Sequence, residues 1–219
     1  MDAFGAPKKK DMRLLDMAAA PGGKTTALCA WLANSSAAVV ANEPNVARCK
    51  VLVENLLRTG SMPKAAVTQM DGRQCGQCWP GYFDAVLLDA PCSGESLTRR
   101  EGAMEMLQHP PGYVEGLSKL QRQLISSAFE ALKVGGVLVY STCTLNVQEN
   151  EHVCDFLEQT FAGAVEREEL HLPGTEEMRT PAGCLRCWPQ MSDTQGFFVA
   201  RFRKTAGLTE AGGRKRQTD

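Results

Sequence analysis

Nowhere along its 219 residues does the chain carry an apolar run approaching the roughly 20 positions that a membrane span requires. No apolar leader follows a basic start, so nothing marks the chain for secretion. Histidine is scarce: His109, His152 and His171 are the whole set, and none lies next in sequence to the cysteine motifs described below. That leaves little room for histidine as a general base. A basic excess is missing too. The net charge is -1, whereas neutralising many phosphates normally leaves a surplus of Lys and Arg, so any contact with RNA or DNA is expected to be local or shared. No internal repeat is evident. Cysteine, by contrast, is plentiful at nine residues. In a chain of this length without a leader, those thiols read as free in a reducing compartment rather than as a disulfide framework. A cytoplasmic protein is expected, or a nucleolar or organellar one in a eukaryotic cell.

A length of 219 residues suits one domain with a full core. Residues 1–11, with Lys8-Lys9-Lys10, and 205–219, with Arg214-Lys215-Arg216, read as polar basic tails around a domain over 12–204. Within it, strand-like runs at Met12–Asp16, Ala37–Asn42, Ala65–Met70, Phe83–Asp89, Gly136–Tyr140, Val165–Leu172 and Phe197–Arg203 alternate with helical stretches. Leu117, Leu120, Leu124, Ala128 and Leu132 share one helical face, and Gly135-Gly136 reads as the stop. Such alternation predicts a doubly wound, mostly parallel sheet of seven strands with helices on both faces and the last strand antiparallel. The charged connection Gly94–Gly116 reads as a mobile loop over the carboxyl edge of that sheet, where α/β proteins place their chemistry.

Two cysteines stand just past buried-strand patterns: Cys92 in Asp89-Ala90-Pro91-Cys92-Ser93-Gly94, and Cys143 in Ser141-Thr142-Cys143-Thr144. Two thiols at one sheet edge suggest covalent catalysis, although small inert packing is the ordinary fate of a free cysteine. The first strand runs into Asp16-Met17-Ala18-Ala19-Ala20-Pro21-Gly22-Gly23-Lys24-Thr25-Thr26, a tight turn before a helix. Two readings compete for it. As a phosphate cradle it nearly matches G-x-x-x-x-G-K-[ST], but Ala18 stands where glycine is wanted and Pro21 stiffens the loop. As a nucleoside site it would pass under the methionine part of S-adenosylmethionine, with Glu43 at the end of the second strand on the ribose hydroxyls and Asp71 after the third near the adenine amino group.

Taken in order, these motifs resemble the RNA cytosine-5 methyltransferases of the RsmB/Nop2/Sun type, and in particular the bacterial RsmF-like 16S ribosomal RNA enzymes. The similarity runs from about Leu14 to Lys204. It is carried by Asp16–Thr26, Asp71-Gly72-Arg73, Asp89–Glu95, Tyr140–Asn146 with Glu149-Asn150-Glu151, and Gly196–Arg201. The resemblance implies a Rossmann-like class I fold in which Ala18, Ala19, Ala20, Pro21, Gly22, Gly23, Lys24, Glu43, Asp71 and Asp89 hold S-adenosylmethionine. It makes Cys143 the nucleophile and has Cys92 assist product release. It also implies an RNA substrate, ribosomal before transfer RNA, with no membrane and no stable protein partner. Members of the family carry an N-terminal RNA-binding region and a helix before the first strand. This chain starts almost at that strand and so resembles a catalytic core. Ser96 replaces a usual glycine, and Arg99-Arg100-Glu101 parallels a stretch suited to RNA phosphate.

C5 of cytosine is too weak a nucleophile to take a methyl group unaided, and a thiolate adding to C6 makes it an enamine-like carbon. Cys143 supplies that thiolate in this reading, Asp89 is the acid placed to assist at N3, and Cys92, or a water it holds, removes the C5 proton. The base must leave its stack to be attacked on its face. Two alternatives stay open: a core that binds cofactor and RNA but turns over poorly without its N-terminal region, and a P-loop nucleotide-binding protein. Cys75-Gly76-Gln77-Cys78 and Cys184-Leu185-Arg186-Cys187 formally invite zinc. Their separation is far longer than in a zinc ribbon and the resemblance offers no zinc there, so no metal is expected; Trp79 and Trp188, each near one pair, read as packing groups rather than base-stacking platforms.

Overall fold

A computed structural model of the chain describes residues 2–5, 11–94, 109–191 and 195–208. Lys8–Lys10, Glu95 and Ser96, Arg99–Glu101, most of the Gly94–Gly116 loop and Arg214–Arg216 lie outside them. The described residues build one sheet from β1 (Arg13–Asp16), β2 (Ala38–Asn42), β3 (Ala65–Thr68), β4 (Phe83–Asp89), β5 (Leu132–Thr142), β6 (Val165–Glu168), β7 (Leu185–Cys187) and β8 (Phe197–Lys204). Its order is β3-β2-β1-β4-β5-β8-β6. β1 to β5 pair in parallel. β8 runs antiparallel between β5 and β6, and β7 pairs with the other end of the same β8 edge.

Alternation along the buried strands explains the layers. In β4, Ala85 and Leu87 face the side covered by α1 (Gly23–Trp31), together with Leu14, Leu28, Val39, Val137 and Val139. Val86 and Leu88 face the opposite side with Leu15, Leu138 and Tyr140. Neither face of β4 can be polar, which is why its sequence is a continuous apolar run. On that second side α4 (Tyr113–Ala131) buries Leu124, Ile125, Ala128 and Phe129, and α5 (Glu151–Thr160) buries Val153, Cys154 and Leu157. Each large apolar side chain so buried stabilises the fold by roughly 2 kcal/mol. α2 (Val46–Arg58) begins where the Asn45 side chain accepts from the Arg48 amide at 3.0 Å, and it sets Leu52 and Leu56 against Ala19, Ala20 and Ala41.

All seven expected runs are strands, and the closing one is antiparallel. Four features depart from expectation. β7 is an eighth strand, too short to have a period of its own. Leu132 does not finish α4: it is extended and opens β5, and Gly135-Gly136 lies in a bulge of that strand rather than at a helix stop, with Gly135 at φ 81°. β6 ends at Glu168, so His171 lies beyond the strand, 3.5 Å from the Glu169 carboxylate. The stretch read as an N-terminal tail also contributes to the core. Asp2–Phe4 forms a 3-10 turn whose Phe4 is buried against Trp31, with ring centroids 6.2 Å apart. Among the described residues no helix is long and apolar enough to cross a membrane.

Candidate active site

The carboxyl ends of β1, β2, β4 and β5 converge on one edge. Between β1 and α1 the chain turns through Ala18–Gly22. Gly22 sits at φ 109°, where other residues are strained, and a Cβ there would also press on Leu52 Cδ1 at 3.1 Å. Side chains from α2 hold the turn from outside: Arg48 donates to the Ala20 carbonyl at 3.0 Å and Asn55 to the Pro21 carbonyl at 2.8 Å. Asn42, fully buried at the end of β2, donates to the carbonyls of Met17 and Met70 and accepts from the Met70 amide and the Thr68 hydroxyl. One amide thus ties together the chain leaving β1, β2 and β3.

Glu43 follows Asn42 and is almost completely buried. Its Oε1 accepts from the Asn45 amide at 3.0 Å, while Oε2 lies 3.6 Å from Arg48 and accepts no hydrogen bond among the described residues. Asp71 is half exposed and is chelated by the Arg73 guanidinium and amide, which hold its carboxyl below the usual range. Asp16 at the end of β1 is buried and accepts from the Thr25 hydroxyl at 2.7 Å. Burial pushes it up to about 7 despite that bond.

The two cysteines meet at this edge. Cys92 Sγ lies 2.9 Å from Cys143 Sγ, and the Cys143 amide donates to Cys92 Sγ at 3.3 Å. The Cys92 thiol bonding to the Cys143 sulfur draws Cys143 down to about 7. The same bond, with burial, holds Cys92 well above an ordinary thiol. Asp89 links them to the glycine turn, since Lys24 Nζ donates to its Oδ2 at 2.7 Å and the Ser141 hydroxyl to its Oδ1 at 2.7 Å. The Lys24 ammonium also lies over the Phe197 ring, 5.4 Å from its centroid.

Several residues of the site carry no signal in a motif read one residue at a time. Glu149, Gln121, Ser93 and Thr144 form a buried polar group behind the sulfurs. Asn150 accepts from the Thr142 hydroxyl at 2.6 Å and donates to the Thr144 carbonyl at 3.0 Å, closing the turn that carries Cys143. Arg186, buried on β7, bonds the Leu145 carbonyl and the Glu151 carboxylate. His109 corrects the expectation that no histidine adjoins a cysteine motif. Sixteen residues on in sequence, its Nε2 is 3.0 Å from the Ser93 carbonyl, and its ring stacks on Tyr113 at 4.2 Å.

Each C-x-x-C pair has one buried cysteine. Cys75 is buried on the short α3 (Cys75–Cys78), where burial pushes its thiol up to about 12, and Cys78 is exposed. Cys184 is buried in the core and Cys187 is half-buried at the end of β7. Among the described residues no three His, Cys, Asp or Glu side chains gather as a metal site would need. Trp79 packs edge-on against Phe83, with centroids 5.6 Å apart.

A parallel sheet with one antiparallel strand set between its last two, helices on both faces and a glycine turn after β1 defines the Rossmann-like S-adenosylmethionine-dependent methyltransferase fold. A family model described as 16S rRNA methyltransferase RsmB/F matches residues 4–203, and the chain belongs to that family. Ribosomal RNA small subunit methyltransferase F of Pectobacterium carotovorum is 49% identical over 197 residues, covering 89% of this chain and 40% of its own. Its namesake in Shewanella amazonensis is 47% identical over 203 residues, covering 92% and 43%. The solved structure of NSun6 from Pyrococcus horikoshii with SFG superposes with a TM-score of 0.77 at 33% identity, covering 91% of this chain and 49% of that one. The chain thus spans about two fifths of the length of these curated relatives.

Proposed function

We propose that this chain is the catalytic core of an RNA cytosine-5 methyltransferase that modifies a cytidine of ribosomal RNA through a transient bond between Cys143 and C6. The carrying observation is the thiol pair. With the sulfurs 2.9 Å apart, a Cys92 thiol that donates to Cys143 makes the latter a nucleophile near neutral pH. The P-loop alternative is set aside with the family.

The cofactor is S-adenosylmethionine, and the cleft fits it. Glu43 Oε2, buried and lacking a donor among the described residues, suits a ribose hydroxyl. The Ala18–Lys24 turn brings backbone with only methyl groups or hydrogen as side chains over much of its length. Asp71, already engaged with Arg73, keeps enough exposure to meet the adenine amino group. Bound there, the cofactor supplies an electrophilic methyl group.

The protein's own groups do the rest. The Cys143 thiolate adds to C6, and the C5–C6 π electrons move so that C5 can attack. Asp89 accepts from Lys24 and Ser141, which suits it to receive the N4 amino hydrogens of cytosine; donation to N3 requires that it first gain a proton. After methylation the C5 proton must leave, the C5–C6 double bond re-forms, and the Cys143 thiolate departs. Cys92 is suited to take that proton once it has released its own thiol proton to solvent. Its acidity is suppressed chiefly by its bond to the Cys143 sulfur. Once that sulfur is bonded to carbon the suppression is relieved, at the step where a base is needed.

Supplying the chain with labelled S-adenosylmethionine and ribosomal RNA, followed by bisulfite mapping, tests the reading. Cys143→Ala is expected to lower transfer by about a thousandfold or more with cofactor binding retained. Label at any position other than C5 of cytidine, or turnover preserved in that variant, would overturn it. Transfer that appears only when the remaining part of a longer relative is added identifies a core dependent on its docking region.

A further inference from the structure

Glu149 is completely buried, and none of the steps above uses it. A buried carboxylate is costly unless its oxygens are occupied, so its partners show what it serves. Its Oε2 accepts from the Ser93 amide at 2.9 Å and from Gln121 Nε2 at 2.9 Å. Its Oε1 accepts from the Ser93 hydroxyl at 2.5 Å. Gln121 reaches across from α4 and also donates to the Pro91 carbonyl at 2.8 Å. The residues on both sides of Cys92 are therefore gripped by one carboxylate and one amide. The Ser93 hydroxyl lies 3.0 Å from Thr144 Oγ1, next to Cys143. At the same time Glu149's own carbonyl accepts from the buried Tyr140 hydroxyl at 2.6 Å, which anchors it to β5.

We propose that Glu149 is a positioning residue: acting through Ser93, Gln121 and Thr144, it holds the loop of Cys92 against the loop of Cys143 so that the Cys92 thiol donates to the nucleophilic sulfur. The proposal rests on the assignment of Cys143 as nucleophile. It accounts for a fully buried acid two residues before α5, in a place where an apolar side chain would pack at lower cost but would leave the Ser93 amide and hydroxyl and Gln121 without their acceptor. The groups that face Cys143 are Cys92 from the 91–94 segment, Asp89 from β4 and Lys24 from α1. Of these, Cys92 is the one whose segment Glu149 grips.

The test is the pH dependence of Cys143 alkylation by iodoacetamide, followed on its own peptide by mass spectrometry in the folded, full chain. Wild type should show a midpoint near 7, and Glu149→Ala should move it toward the ordinary thiol value of 9.0. Cys92→Ala should move it similarly, and the double variant should add nothing further, because both changes remove one donor. Glu149→Gln should stay close to wild type. Its oxygen can still receive Ser93 and Gln121 while its amide faces the Ser93 hydroxyl, which separates geometry from charge. A folded Glu149→Ala protein with an unmoved midpoint, or shifts that add independently in the double variant, would overturn the proposal. Should Glu149→Ala fail to fold, Ser93→Ala replaces it, with a smaller shift expected in the same direction and no shift counting against. The measurement uses neither RNA nor cofactor. A failed methyl-transfer assay with this pattern intact would therefore count against the proposed function alone.

Discussion

Cys92 and Cys143 come from segments that follow neighbouring parallel strands, and their sulfurs lie 2.9 Å apart with the Cys143 amide turned toward Cys92. In the proposed function that proximity suits them to successive steps on one base. With Cys92→Ala, addition and methylation should proceed while departure of Cys143 stalls. A covalent RNA–protein band that survives a denaturing gel is the expected result when RNA and S-adenosylmethionine are both supplied. A folded variant that consumes cofactor without giving the band would contradict the release role.

Glu43→Ala should weaken S-adenosylmethionine binding by about tenfold to a hundredfold, the scale of a lost hydrogen bond to a charged acceptor. Titration calorimetry reads this directly. Glu43→Gln should recover part of the loss, because one oxygen remains to face the ribose. Unchanged affinity in Glu43→Ala would place the ribose elsewhere.

Asp16 gives the fold a pH dependence of its own. Its carboxyl is raised from 3.8 to about 7 in the folded state, chiefly by burial. The folded protein therefore binds the proton more tightly than the unfolded chain. Its contribution is fully present below pH 3.8 and is lost as pH rises toward 7. Compared with Asp16→Asn, wild type should lose on the order of a few kcal/mol across that interval and run parallel above it. Urea unfolding of both proteins from pH 4 to 8 measures the difference. Parallel curves throughout would show that Asp16 is not desolvated.

Gly76 separates the packing and metal readings of the first C-x-x-C pair. A Cβ there would sit 2.8 Å from the Ser127 carbonyl oxygen and 2.7 Å from Glu130 Cβ, and its amide already donates to the Ser127 hydroxyl at 2.9 Å. The α3 turn lies directly on α4 with no space for a methyl group. Gly76→Ala should cost roughly 2 kcal/mol and lower the melting temperature by about 4–8 °C, without changing the alkylation profile of Cys143. A chelator should leave the wild-type transition where it is. A chelator-sensitive transition would instead point to metal.

Period and punctuation suffice for most of the sheet, because β4 and β5 are buried on both faces and their apolar runs end at turn residues. They fail at Leu132, where a residue in phase with the helix is extended, since the bulge at Gly135 re-aims the chain into β5. They fail again at β7, whose three residues are strand only because β8 offers a free edge. At the site, Asp89, Cys92 and Cys143 were legible because each stands at or just past a strand end, and Lys24 because it sits in the glycine turn; the structure pairs Lys24 with Asp89 and Cys92 with Cys143. Glu149, Gln121 and Asn150 were not legible as site residues. Glu149 and Asn150 stand in a stretch that carries the resemblance, but their roles follow from contacts: Glu149 and Gln121 meet segments tens of residues away, while Asn150 closes on Thr142 and Thr144 nearby. His109 is the clearest instance: reading neighbours along the chain removed it from the site, and the fold returns it to Ser93.

Arg186 has a bearing on how the enzyme is made. Its bonds to Leu145 and Glu151 fasten the turn that carries Cys143 from a strand that is translated after it, and the edge of β5 stays unpaired until β8 arrives between β5 and β6. A nascent chain whose Cys143 has already left the ribosome therefore exposes a naked apolar ladder beside an unfastened thiol.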